Sequence, residues 1–337
     1  MPVASQLQTV VNHYRAQLAR HETEAEQALS EAYQRAEAAL QPQLARLYQQ
    51  MATRLADGEG IPLWWLMEDG RLATIKQFIT SQMNHYGSVS QITVQQLQLS
   101  GLTLAREAAL AQLSAILPNG LNWQFAPPPA SAIEQLVGAT QAGSPLADLF
   151  SGFGAEAAAN AEQALINGVS LGESVADVAR SLQQALEVER TRALTIARTE
   201  MLRSYRGGNL ATFQANDDVC GQWRWCASKS GRTCAACLAM DGTLHSLDES
   251  MDSHVNCRCS PSPVPVDVAF QTPYQSGEDW LSGQTESVQR TVLGAKYAGW
   301  KQGDFSLQDM VGYHHSAQWG SSIYEKSLRQ LQKKKAA

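Results

Sequence analysis

Five residues that can bind a soft metal fall in one short stretch: Cys234 and Cys237 form C-x-x-C, and His254, Cys257 and Cys259 follow as H-x-x-C-x-C. Thiolate and imidazole donors at this spacing predict a structural zinc site, because a C-x-x-C turn converges two sulfurs on one ion and a distant pair closes the tetrahedron. Four protein ligands leave no open position for chemistry, so the metal is expected to be a staple. Cys234 and Cys237 are the firmest ligands and Cys257 is the third. The fourth position is contested between His254 and Cys259.

The 337 residues suffice for two or three domains with their own cores, and 44% apolar with 17% charged residues places the chain among soluble globular proteins. No membrane span is visible, and the polar opening MPVASQLQTVVNHY lacks the regions of a signal peptide. Synthesis in a reducing cytosol follows as the expectation, which favours metal ligation over disulfides for the clustered cysteines. Cys220 and Cys226 stand apart and are read as small buried hydrophobes or free thiols. A net charge of -6 argues against a nucleic-acid coat, and the one basic run, Lys333 to Lys335, is read as a solvated tail.

Residues 5 to about 56 read as long helix, with apolar or small residues at Leu7, Val11, Tyr14, Leu18, Ala25, Leu29, Tyr33, Ala36, Leu40, Leu44, Leu47, Met51 and Leu55. Their mean period exceeds the heptad value, which favours bundle packing over a regular left-handed coiled coil. Pro42 is expected to kink or break the run near Leu40 unless a new helix starts there. A second helical block follows GEGIP and extends to Pro118, with Trp64 and Trp65 as core residues or, alternatively, an aromatic anchor for a partner. The segment PNGLNWQFAPPPAS, residues 118–131, reads as a linker, because Pro127 to Pro129 fit neither a helix interior nor a central strand. Helices then resume, turn at Gly168 and Gly172, and continue to an expected stop at Gly207 and Gly208. GQWRWCAS reads as a strand, and Asp241-Gly242 as a tight turn.

The motifs IARTEMLRSYRGG, GQWRWCASKSGRTCAACLAMDGTLHSL and HVNCRCSPSPV, in this order over roughly residues 165 to 265, resemble the phage head morphogenesis family of Mu F-like minor head proteins. The tail DWLSGQTESVQRTVLGAKYAGWKQG is similar to an extension found in such proteins. Two positions depart from the family pattern: Lys229 or Ser230 stands where an acid is common before R-T-C, and Val255 where a proline is common. Spacing, the proline run and the resemblance together predict a mainly α protein with a small α+β zinc-stabilised module: a helical N-terminal domain over 1–117, the linker 118–131, a Mu F-like domain over 132–265 and a C-terminal extension with short helices and a basic tail over 266–337. The resemblance implies a minor head protein of a tailed bacteriophage or prophage that associates with the portal protein and other head proteins during procapsid assembly in the host cytoplasm. Such a protein would reside inside the head near the portal, make at most weak DNA contact, and in some cases leave with the DNA.

Two enzymatic readings compete. A metal-dependent nuclease with a zinc-supported fold would need a second, catalytic centre built from histidines with an open position for water, and no second cluster is visible. His245, His314 and His315 read as loop, surface or core residues. A transferase could be hung on Arg198, Thr199 and Glu200, but residues two apart on a helix face different ways, so Arg198 and Glu200 are read as polar support that clamps finger-loop backbone. No glycine-rich phosphate cradle and no nucleophile with a matched base is visible, and the expected protein is not an enzyme.

Overall fold

The computed structural model describes residues 3–117, 123–137, 147, 150–271, 273–316 and 319–335. The first part of the expected linker, 118–122, lies outside them, as do the side chains of Lys333 to Lys335. The fold is mainly α. In chain order the helices are α1 (Val3–Ala56), α2 (Leu63–Met67), α3 (Arg71–Ile116), α4 (Ala130–Val137), α5 (Phe153–Ser170) and α6 (Val175–Gln214). Strand β1 (Cys220–Cys226), helix α7 (Ala235–Met240), β2 (Leu244–His245) and β3 (Ser260–Pro265) follow. The C-terminal part contains α8 (Gly277–Ser282), α9 (Glu286–Leu293), α10 (Tyr297–Lys301), β4 (Val311–Ser316), β5 (Gly320–Glu325) and α11 (Leu328–Lys335). No helix among the described residues is long and apolar enough to cross a membrane.

Contacts divide the chain into two units, one of Met1–Ala19, Gln98–Leu136 and Met201–Ala337, the other of Arg20–Leu97 and Val137–Glu200. Helices α1, α3 and α6 contribute residues to both.

The second unit is helical. Its part of α1 buries Leu29, Tyr33, Ala36, Leu40, Leu44, Leu47 and Met51, the stripe predicted from spacing, while Leu55 is exposed. The break expected at Pro42 does not occur, because α1 runs through it. An interior proline costs about 3 kcal/mol, whereas burying each large apolar side chain contributes about 2 kcal/mol, so the buried row flanking Pro42 outweighs the lost bond. Tyr33, Tyr86, Phe153 and Phe150 form a chain of ring contacts with centroids 5.1 to 6.1 Å apart. The tryptophan pair divides: Trp65 is buried beneath the Arg71 guanidinium, and Trp64 is exposed beneath that of Arg54.

The first unit holds the small sheets. The stop expected at Gly207 and Gly208 is overturned, because α6 continues to Gln214. A Cβ on Gly208 would lie 2.6 Å from Ala105 Cβ, and one on Gly207 2.3 Å from Leu136 Cδ2. These glycines let α3 and α4 approach α6 and do not end it. The described end of the proline-rich segment is tied down: Ala126 N–H donates to Asn216 Oδ1 at 2.8 Å, and Asn216 Nδ2 donates to Ala126 O at 3.0 Å. The three-stranded sheet has order β2-β1-β3, with both pairings antiparallel. SPSPVP forms edge strand β3, where prolines at alternate positions leave the amides of Ser262 and Val264 to pair with β1. Gly242, at φ +94, makes the predicted turn.

In the second unit the charged stretch of α6 buries Glu189, whose Oε2 accepts no hydrogen bond and lies 3.7 Å from Arg192 Nη1. Burial holds this carboxyl up at about 7 from its ordinary 4.5. A folded-state value above the unfolded one means that the folded chain holds the proton more tightly. The contribution to stability is therefore full below the unfolded value and is lost as pH rises through about 7. Glu189→Gln should raise stability by about 3 kcal/mol near pH 8 and make little difference near pH 4. Urea denaturation at the two pH values checks this, and an equal effect at both would refute it.

Candidate metal centre

Three local structures bring the five donors together. The C-x-x-C pair sits at the start of α7, where Cys234 is the N-cap and its Sγ accepts the Cys237 N–H at 3.4 Å. That end of α7 is also held by Glu325 of β5, which accepts the Ala235 N–H at 2.9 Å and pairs with Lys296. His254 to Cys257 is a tight turn closed by Cys257 N–H to His254 O at 3.1 Å, with Asn256 in the left-handed region at φ +61, a conformation that asparagine tolerates. Cys259 precedes β3, and Trp225 of β1 packs in the same core as Cys237, Cys257 and Cys259.

His254 Nε2 lies 3.3 Å from Cys234 Sγ and 3.1 Å from Cys237 Sγ, and Cys237 Sγ lies 3.6 Å from Cys257 Sγ. Two triplets have donor atoms within 4.8 Å of one another: Cys234, Cys237 and His254; and Cys237, Cys257 and Cys259. The two share Cys237. These clusters could hold a metal ion, and their sulfur-rich donor set, with one imidazole, matches the softness of zinc. His254 Nδ1–H donates to Val255 O at 2.7 Å, which commits that nitrogen to the backbone and turns Nε2 toward the sulfurs.

Protonation of the sulfurs is mutually dependent. Contact with the Cys237 thiol holds Cys234 down at about 5, and contacts with Cys237 and Cys259 hold Cys257 well below the ordinary thiol range. Cys237 is pushed up by contacts with Cys234, Cys257 and Cys259. For Cys259, contact with Cys237 pulls down, but the neighbouring Cys257 thiolate and burial win and push it well up. Burial lowers His254, yet the sulfurs of Cys234 and Cys257 raise it to about 11. Negative charge on one sulfur thus suppresses it on the next, and a dication at the centre would relieve that repulsion.

The clamp on the second ligand loop is Arg206 of α6, which the sequence reading assigned no role. Its buried guanidinium donates from Nε to Cys259 O at 2.8 Å, from Nη2 to Cys257 O and from Nη1 to Ser253 Oγ at 2.7 Å. Arg198, expected as the support with Glu200, pairs with Glu22 within the second unit; Glu200 is buried. The signal for Arg206 in the sequence is its place in the motif IARTEMLRSYRGG, directly before Gly207 and Gly208. At the departure from the family pattern, Lys229 Nζ lies 3.0 Å from the buried carboxylate of Asp241 and donates to Gln275 O at 2.6 Å. Asp241 also accepts the Ala227 N–H at 2.6 Å and the Tyr274 hydroxyl at 2.8 Å, so it locks the loop around the expected D-G turn.

The other histidines have different partners. His245 stacks on Trp223 with centroids 4.2 Å apart, and its nitrogens lie 2.8 Å from Thr243 Oγ1 and 3.0 Å from Glu249 Oε2. The Thr243 hydroxyl donates to Met240 O at 2.7 Å, which directs its proton away from the imidazole. His314 and His315 lie on β4 beside Ser322 and Ser321. Cys220 and Cys226 are buried free thiols, and burial pushes Cys220 up to about 12.

Replacing Arg206 with Met leaves the two carbonyls buried without donors, and hydrogen bonds to charged groups contribute about 1.5–3 kcal/mol each. Arg206→Met should lower stability by about 3 kcal/mol or more in urea denaturation and open the Ser253 to Cys259 loop to protease. An unchanged midpoint would show that the guanidinium does not hold the loop.

Residues 159–262 match the family model described as Phage Mu protein F like protein. No curated protein and no solved structure matches the chain. The matched residues run from α5 through α6, the sheet and both cysteine-bearing segments into β3, which is the stretch that builds the cysteine–histidine cluster and its arginine clamp. Residues 159–262 are therefore a Mu F-like domain, similar to the phage Mu protein F family.

Proposed function

We propose that this protein is a minor head protein of a tailed bacteriophage or prophage, one that associates with the portal during procapsid assembly in the host cytoplasm. It remains inside the head near the portal, and it acts by binding and not by catalysis. The observation that carries this reading is the family match over the segment that folds the cysteine–histidine centre. The net charge of -6 supports protein partners over DNA coating and leaves room only for weak DNA contact.

The metal in this proposal is a structural zinc held by Cys234, Cys237, His254 and Cys257, with Cys259 packed beside them. The imidazole geometry supports this choice of fourth ligand, since His254 Nε2 faces two sulfurs while Nδ1 is committed to a carbonyl. When bound, zinc supplies cross-linking and charge neutralisation, and it orders a segment whose own core is small.

Quantitative mass spectrometry of purified particles and of their portal complex tests the role. A few copies per particle, co-purifying with portal, are expected; absence from both particles and procapsids would overturn it. Elemental analysis of the purified protein tests the site. One zinc per chain is expected, lost in His254→Gln and kept in Cys259→Ser, and the reverse pattern would move the fourth ligand to Cys259.

A further inference from the structure

The sheet that carries the metal centre has a second face. Along β1 the side chains alternate, so Trp223 and Trp225 project into the core that holds the cysteines, whereas Arg224 and Cys226 project to the other side with their partners Ser262 and Ser260. That reverse face and the Leu7, Val11 and Arg15 stripe of α1 line a cavity of about 560 Å³ within the first unit. The volume lies within the range of small-molecule sites.

The charge of the cavity is one-sided. Arg15, Arg224 and Lys229 line it, and no Asp or Glu is among the lining residues, in a chain with a net charge of -6. Lys229 is compensated by Asp241, but neither guanidinium has a carboxylate partner among the described residues. Arg15 uses Nη2 on Cys226 O, Ala227 O and Ser260 Oγ, which fixes the side chain in place and leaves its buried Nε without an acceptor. Arg224 lies over the Tyr274 ring at 4.6 Å, and its buried Nε also has no acceptor. Two guanidinium groups on one cavity wall, neither paired with a carboxylate, call for a ligand rich in acceptor oxygens. Leu7, Val11 and Trp280 give the same cavity an apolar wall.

We propose that this cavity is a binding site for a small organic phosphate monoester, with the phosphate between Arg15 and Arg224 and the organic group against Trp280, Val11 and Leu7. A phosphate dianion offers three terminal oxygens to the two guanidinium groups and the hydroxyl of Ser262, more than a carboxylate can. The site is independent of the metal and of the head-protein reading, and none of its residues is a proposed zinc ligand.

The test is calorimetric titration of the full chain with phenyl phosphate, inorganic phosphate and benzoate as probes. Phenyl phosphate is expected to bind one to one, inorganic phosphate about tenfold more weakly for want of the apolar contact, and benzoate more weakly than phenyl phosphate. Arg224→Gln should weaken phenyl phosphate about tenfold or more. Asn12→Asp, on an exposed position of α1 at the cavity lining, should also weaken it by placing a negative charge there, and it disturbs no packed residue. Thermal unfolding of both variants confirms that they fold. No binding of phenyl phosphate at about 10 mM, equal binding by the wild type and Asn12→Asp, or benzoate binding as tightly as phenyl phosphate would each overturn the proposal.

Discussion

The convergence of four sulfurs and an imidazole is the constraint on which the first unit depends, because such a cluster cannot hold itself together. Each thiolate repels the next, and the loop bearing Cys257 and Cys259 has little apolar surface of its own. Its backbone carbonyls are fixed by Arg206 from a forty-residue helix, and the opposite pair is fixed by the N-terminal end of α7. The cysteine–histidine cluster is thus a junction between a long helix and a short one, held from both sides.

The C-terminal extension takes part in this junction. Ala235 and Leu238 of α7 pack with Leu281, Leu293, Tyr297, Leu307, Met310 and Leu331 in one core, while Ala236, Cys237 and Met240 face the core shared with the tryptophans and the other cysteines. A six-residue helix between two cores is held far more firmly than its own length allows. Glu325 and Lys296 add a polar tie at its first turn. A module that looks like a small finger in sequence is therefore finished by residues up to a hundred positions further along.

The second unit follows a different logic. Its stability rests on long buried apolar rows and a run of aromatic rings, and these carry a proline and a buried carboxylate without interrupting the helices. Glu189 is destabilising when ionised, and the surrounding apolar burial is what keeps it in place. Trp64, left exposed beside buried Trp65, is the one of the pair free to meet another surface.

By itself the sequence determined what local chemistry can encode. Hydrophobic spacing marked the buried stripe of α1, alternation marked β1, the D-G pair marked the turn at Gly242, and ligand spacing marked the five donors that meet in space. Tertiary structure decided where local signals conflict with packing or have no local form. Gly207 and Gly208 carry a stop signal that the close approach of Leu136 and Ala105 overrides, and Pro42 carries a break that burial on either side outweighs. Arg206 as clamp, Glu325 as cap and the cation-lined face behind β1 arise from residues far apart in the chain. Only the folded backbone brings such groups within hydrogen-bonding distance, so no pattern along the sequence could announce them.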